Sequence, residues 1–143
     1  YMMIAAKYGV DTSKIDLEIT ESATIEAGID IIEIMNKMKR LGFIISIDDF
    51  GTGYSSLSAI QDMPADILKI DKSFVDRIGK NEKNIIDYIL NIAKELKLTT
   101  IAEGVETKEQ RDYLLEKGCD IIQGYYYAKP MPEEEFEEYM EKE

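Results

Sequence analysis

Histidine and tryptophan are absent from this sequence of 143 residues, and only one cysteine, Cys119, is present. Without histidine, the chain has neither a histidine-activated nucleophile nor a histidine-ligated zinc site. With a single cysteine it cannot form an internal disulfide bond, which fits a reducing cytoplasm. The sequence also lacks a long apolar span and a signal-peptide pattern. We therefore expect a cytoplasmic segment without membrane contact, whether or not a region before Tyr1 anchors the full-length protein.

Positive charge is scarce, because 17 basic residues face 29 acidic ones and the formal net charge is −12. A nucleic-acid polymer or an anionic membrane needs a positive protein surface, so neither is expected as the main partner. A small phosphorylated ligand stays compatible with this charge, because a bound divalent cation reverses the field inside an acidic pocket. The hydrophobic content of 45% is typical of a soluble globular chain.

Segments with the alternation of strands come between segments with helical periodicity. Strands are predicted at residues 15–21, 43–47, 66–71, 99–103 and 121–123. Helices are predicted at residues 1–8, 29–41, 55–61, 84–97 and 107–118, and after Pro132. Gly9 is expected to end the first helix, and Thr107 with Gln110 forms a capping-box pattern. Five strand–helix repeats of this kind predict a parallel sheet with right-handed crossovers.

Two α/β architectures are compatible with this order, an open doubly wound sheet and a TIM-type (β/α)8 barrel. Strands of a doubly wound sheet are apolar on both faces, whereas three predicted strands here carry a polar residue near the end: Glu18, Asp48 and Lys69. These residues favour the barrel. Because such a barrel has eight strands, we expect residues 1–143 to be one N-terminally truncated domain. It would supply the C-terminal five β/α units, with the N-terminal strands missing.

Charged and polar residues stand at or just after all five predicted strand ends. They are Glu18, Glu21, Asp48, Asp49, Lys69, Asp71, Glu103, Glu106 and Gln123. So many carboxylates at one end of a sheet repel one another unless cations compensate them. With oxygen ligands alone, the expected metal is Mg²⁺ or Mn²⁺, with Ca²⁺ as a third candidate. An acidic two-metal cluster next to the glycine-rich loop after Asp49 indicates phosphodiester hydrolysis.

The same strand ends lie in five short motifs: EITES at 18–22, DDFGTGYSSL at 48–57, LKIDKSFV at 68–75, AEGVE at 102–106 and QGY at 123–125. In this order they resemble the motifs of the EAL domain, a family of bacterial phosphodiesterases that cleave cyclic di-GMP. The resemblance implies hydrolysis of cyclic di-GMP to linear pGpG. It also implies a homodimer, and a sensory or GGDEF-type domain upstream in the full-length chain.

The resemblance implies catalytic and metal-binding roles for the residues that match. Glu18 and Asp48 match ligands of a first metal ion, and Asp49 matches a residue that approaches a second one. Lys69 and Glu103 match the pair that holds and deprotonates the attacking water, with Glu103 as the general base. From the residues alone, a buried structural ion pair explains Lys69 equally well.

Other matching residues are implied to surround the site. Gln123, Asp71 and Glu106 match the substrate pocket, where we expect Asp71 and Glu106 to support structure rather than perform chemistry. The segment that links metal binding to the dimer is matched by Glu21, Phe50, Gly51, Thr52 and Gly53.

The family's Glu-Ala-Leu tripeptide, whose glutamate is a metal ligand, and an asparagine ligand match positions before Tyr1. The fragment alone is therefore expected to bind metal weakly and to hydrolyse little. A non-catalytic cyclic di-GMP receptor and a dimerising module remain alternatives, and inhibition by Ca²⁺ is left open.

Overall fold

The computed structural model describes residues 1–20, 23, 29–51, 60–80 and 85–141. The strands are β1 (Asp16–Thr20), β2 (Ile44–Phe50), β3 (Ile67–Ile70), β4 (Thr99–Ala102) and β5 (Ile121–Ile122). The helices are α1 (Met2–Tyr8), α2 (Ile29–Arg40), α3 (Lys72–Val75), α4 (Ile85–Leu96), α5 (Lys108–Glu116) and α6 (Glu133–Met140), with a short 3-10 helix at Thr12–Lys14. Within the described residues, no helix has the length and apolarity needed to cross a membrane.

The five strands form one parallel sheet in the order β1-β2-β3-β4-β5. Each crossover therefore takes the chain one strand further in the same direction. A doubly wound sheet reverses its strand order at a switch point, whereas the wall of a TIM-type barrel does not. The strand order thus agrees with the predicted barrel class, and all five strands point their carboxyl ends to one edge.

The core lies between the sheet and its helices, and α4 shows why. Its residues Ile86, Ile89, Leu90 and Ala93 recur at helical spacing and are all buried in one cluster with β3 and β4. Cys119 is 5% exposed and lies in the same cluster, as expected of a small core residue.

Two predicted helix ends are confirmed by their backbone geometry. Gly9 follows α1 with φ 66°, in the left-handed region that glycine enters without steric cost. Thr107 and Gln110 form both hydrogen bonds of a capping box at the start of α5.

Several boundaries differ from the prediction. Strand β2 extends to Phe50, whereas β4 and β5 each end one residue early, so Glu103 and Gln123 lie just beyond their strands. The periodicity did not predict the one-turn helix α3 or the 3-10 helix, because each is too short to show a period. Ile34, placed on the apolar face of α2 by its spacing, is 49% exposed. Most of the predicted helix at 55–61 lies outside the described residues.

Candidate active site

Lys69 lies near the carboxyl end of β3 and is surrounded by three carboxylates from three other segments. Its Nζ atom is 2.6 Å from Glu18 Oε1, 2.8 Å from Glu103 Oε1 and 3.2 Å from Asp48 Oδ1. The Lys69 side chain is only 7% exposed, whereas those of Asp48, Glu103 and Glu18 are 20%, 24% and 52% exposed. We call these four residues the Lys69 cluster.

The register of the sheet explains why these side chains meet. Side chains alternate between the two faces of a strand, so residues two positions apart share a face. The β2 residue opposite Glu18 is two positions before Asp48, and the β4 residue opposite Lys69 is two positions before Glu103. Glu103 is also tied to β3, since its N–H donates to the carbonyl of Ile70 at 3.1 Å.

The surroundings of Lys69 keep it charged. Burial by itself lowers the pKa of the ammonium, but the contacts with Glu103, Glu18 and Asp48 together outweigh burial and raise the pKa above its ordinary value. The side chain is therefore an ammonium at neutral pH. It can donate hydrogen bonds to an oxygen anion, but it cannot act as a base.

A β-bulge reshapes the end of β2. Ile47 lies opposite Leu68 and Phe50 opposite Ile70, so three steps along β2 match two along β3. Asp49, within the bulge, has φ 56° and is one of the non-glycine residues in the left-handed region. The bulge interrupts the ordinary alternation after Asp48, whose side chain still lies in the Lys69 cluster.

The bulge also places carboxylates near one another. The pKa of Asp49 is raised, first by desolvation and then by the neighbouring charges of Asp48 and Asp71. Repulsion of this kind is relieved by a cation.

The residues present fit a divalent cation in their chemistry. Asp48 Oδ1 is buried, and although it lies near Lys69 it has no hydrogen-bond partner within the described structure. The available donors are carboxylate oxygens, which Mg²⁺ and Mn²⁺ prefer. Within the described ranges, however, no three acidic or cysteine side chains are grouped as a metal site requires. These residues therefore fit part of a ligand shell, which for Mg²⁺ contains about six oxygens.

The predicted pocket residues Asp71, Glu106 and Gln123 follow β3, β4 and β5 in the chain. Asp71 caps α3 by accepting a hydrogen bond from the N–H of Ser73 at 3.0 Å, and Glu106 forms an ion pair with Lys72 at 2.9 Å. Both contacts are structural. Gln123 is exposed, and its backbone joins β5 to β4 through a hydrogen bond to the Ala102 carbonyl.

The residues predicted for the loop after β2 are only partly described. Phe50 ends β2, and its ring is buried in the core rather than lying in the loop. Gly51 has φ 91°, and a Cβ atom added there would lie 2.9 Å from the Phe74 ring. Glycine is thus required for this approach. Glu21, Thr52 and Gly53 lie outside the described residues.

One residue next to the site escaped sequence analysis. Lys72 resembles an ordinary surface lysine, yet its ammonium contacts Asp76, Glu106 and the Gly104 carbonyl. The feature of the sequence that could have indicated this role is its position two residues after β3 and four residues before Asp76.

The sequence of this chain is similar to that of known proteins. Residues 2–130 match the family model described as EAL domain. The chain is 44% identical over 129 residues to the probable cyclic di-GMP phosphodiesterase PdeB of Escherichia coli (strain K12), covering 90% of this chain and 24% of PdeB. The chain spans only 17% to 24% of the length of four curated relatives that it matches.

Solved structures are similar as well. PaMucR phosphodiesterase in its c-di-GMP complex matches with a TM-score of 0.90 and 35% identity, over 94% of this chain and 56% of that one. The manganese and cy-diGMP complex of Klebsiella pneumoniae BlrP1 at pH 6 matches with a TM-score of 0.81 and 29% identity, over 90% and 33% of the two chains.

Proposed function

The chain belongs to the EAL domain family, and we propose that it supplies catalytic residues to a metal-dependent phosphodiesterase that hydrolyses cyclic di-GMP to linear pGpG. The Lys69 cluster is the observation that carries this proposal, because it gathers a buried ammonium and three carboxylates at the carboxyl ends of parallel strands. This is where TIM-type barrels hold their active sites. Since the chain spans a small part of its relatives, residues 1–143 form only part of the working enzyme in this proposal.

In this mechanism Glu103 is the general base. Its carboxylate accepts a proton from water as the water oxygen attacks the phosphorus atom, and the bond from phosphorus to the departing ribose oxygen breaks in line. The departing oxygen takes up a proton from solvent water and becomes a hydroxyl, and Glu103 returns its proton to solvent. Lys69 stays protonated, so it orients Glu103 and the attacking oxygen through hydrogen bonds and balances the negative charge that develops.

A divalent ion, Mg²⁺ or Mn²⁺, would be held by Glu18, Asp48 and Asp49 together with further oxygen ligands. When bound, it supplies Lewis-acid activation of water and stabilisation of the leaving oxygen. The buried Asp48 Oδ1 supports this assignment, because its ion-pair contact with Lys69 does not have the geometry of a hydrogen bond. Gln123 is proposed as a polar contact of the substrate, and Asp71 and Glu106 as supports of the pocket.

The partners proposed are cyclic di-GMP, a second copy of the chain, and a sensory or GGDEF-type domain elsewhere in the natural protein. The dimer role rests on the segment from Phe50, the last residue of β2, to Gly53, and on Glu21. At Gly51, directly after β2, the backbone lies against the Phe74 ring. A cytoplasmic location is proposed on the basis of the nucleotide substrate and the single, buried cysteine.

The test compares the full-length natural protein with its Glu103→Ala variant, with Mg²⁺ or Mn²⁺ present. We expect conversion of cyclic di-GMP to pGpG to fall at least 100-fold, since a general base typically contributes 10²–10⁴-fold. Binding of cyclic di-GMP should stay within about threefold. Glu109→Ala is the matched control, because Glu109 is an exposed glutamate in the first turn of α5.

If the unsubstituted protein binds cyclic di-GMP tightly without turnover, the protein is a receptor and not an enzyme. Full activity of Glu103→Ala would remove the base role from Glu103 and leave the phosphodiesterase assignment intact.

A further inference from the structure

Lys72 contacts the turn that follows Glu103. Its Nζ atom lies 2.9 Å from Glu106 Oε1 and 3.4 Å from the Gly104 carbonyl oxygen, as well as 3.1 Å from Asp76 Oδ1. Its aliphatic stem also packs on the turn, because a Cβ atom added to Gly104 would lie 2.5 Å from Lys72 Cγ. Lys72 therefore holds both the backbone of the turn and the side chain at its end.

The turn after β4 contains a glycine in the left-handed backbone region. Gly104 has φ 67°, and the next residue, Val105, is fully buried, with its N–H donating to the Gln123 carbonyl at 3.1 Å. Residues of β3 and α3 thus contact Glu103 and the turn after it at three points. Ile70 bonds to the Glu103 backbone, Lys69 to its carboxylate, and Lys72 to the turn that follows.

We propose that Lys72 is a positioning residue that fixes the Glu103 carboxylate for proton transfer, an inference that rests on the proposed function. Lys72 does not need to touch the substrate. A general base acts only within hydrogen-bond reach of the proton that it takes, and a displacement of 1 Å can cost about 100-fold in rate. Lys72 acts by restricting the backbone on the carboxyl side of Glu103.

An ordinary surface ion pair would not have this effect. The Lys72–Asp76 pair has i,i+4 spacing and half-exposed side chains, so by itself it stabilises the protein little. Lys108 and Asp112 form the same i,i+4 pair on α5, also exposed, at 3.5 Å. Lys108 is therefore a matched control, because its substitution removes the same type of ion pair from a different helix, α5.

The experiment measures kcat and KM for cyclic di-GMP in the full-length natural protein and in its Lys72→Met, Lys72→Arg and Lys108→Met variants. We expect Lys72→Met to lower kcat about tenfold with KM within twofold, because the base is displaced while binding groups remain. Lys72→Arg keeps an aliphatic stem and a positive charge, so it should retain at least half of the kcat that Lys72→Met loses. Lys108→Met should change neither constant.

A double variant separates positioning from general destabilisation. If Lys72 acts through Glu106 and the turn, Lys72→Met combined with Glu106→Gln should lower kcat no further than Lys72→Met alone. The thermal midpoints of Lys72→Met and Lys108→Met should agree within about 2 °C. An unchanged kcat in Lys72→Met, or a fall in kcat matched by a larger loss of thermal stability, would overturn the positioning role alone. Absence of turnover in the unsubstituted protein would overturn the proposed function and this inference with it.

Discussion

Replacing Lys69 by methionine should destabilise the protein strongly at neutral pH. The substitution keeps a similar volume but leaves Asp48 and Glu103, at 20% and 24% exposure, without their cation. Removing one partner of a buried ion pair costs about 3–5 kcal/mol. Since Glu18 is 52% exposed and water screens its charge, we expect the low end, about 3 kcal/mol. For a cooperatively unfolding unit of about 150 residues, that loss lowers Tm by roughly 10 °C, and by less in a larger unit.

The sign of the pH dependence follows from the carboxylates that remain. Without the ammonium, these carboxylates are ionised at neutral pH, repel one another and have no compensating cation. Low pH neutralises carboxylates, which removes this repulsion and its cost to the folded state. The difference in Tm between Lys69→Met and the unsubstituted protein should therefore be largest near pH 7 and shrink toward pH 4.

Scanning calorimetry in EDTA, at pH 7, 5.5 and 4, measures this difference in the full-length natural protein. Lys39→Met is the control, because the pair of Lys39 with Asp66 is about one-third exposed and should be worth under about 1 kcal/mol. A loss in Lys69→Met no larger than in the control would refute the reasoning. So would a loss that stays constant between pH 7 and pH 4.

Two further substitutions test contacts around β4. The pKa of Asp120 is lowered because the side chain and N–H of Thr100 donate to its carboxylate, so its stabilising effect is present at neutral pH and disappears as pH falls below about 4. Asp120→Asn should therefore lower the free energy of unfolding by about 1 kcal/mol at pH 7 and by much less at pH 3, as measured with urea. Gly104→Ala should cost about 1–3 kcal/mol in the same assay, because φ is 67° and the new methyl group would collide with the Lys72 stem.

Each of these substitutions has its own control. Thr100→Val removes the hydroxyl donor to Asp120, so its effect should not add to that of Asp120→Asn, and full additivity would contradict the shared hydrogen bond. Gly118→Ala also alters a glycine with positive φ, but its Cβ would meet no atom within 4 Å. A cost for Gly104→Ala equal to that for Gly118→Ala would show that the collision with Lys72 is absent.

The element types could be predicted because they depend on local periodicity. The spacing of Ile86, Ile89 and Ala93 identifies a helix with one buried face, and the alternation around Glu18 identifies a strand. The bulge at Asp49 could not be predicted in this way. It is defined by the register between β2 and β3, which depends on the packing of two distant segments.

Candidate site residues could be recognised by type but not by environment. Lys69 was notable as a polar residue inside a strand, but its near-complete burial among three carboxylates follows only from the assembled sheet. Lys72 was missed for the same reason, since its partner Glu106 is 34 residues away. The sequence groups Phe50 with the glycine-rich segment because it directly precedes Gly51. In the structure Phe50 is the last residue of β2, and its ring is buried in the core.

The Lys69 cluster also constrains how the strands can align. Lys69 bonds to Glu18, 51 residues earlier, and a shift of β3 by one residue would turn Lys69 toward the apolar layer under the helices. Such a shift would bury an ammonium without a partner and leave the carboxylates without a cation, so misaligned sheets are penalised twice. An inactive protein made by substituting Lys69 would therefore lose alignment specificity along with chemistry. Comparisons with such a variant need a check of the sheet register before a lost activity is assigned to catalysis.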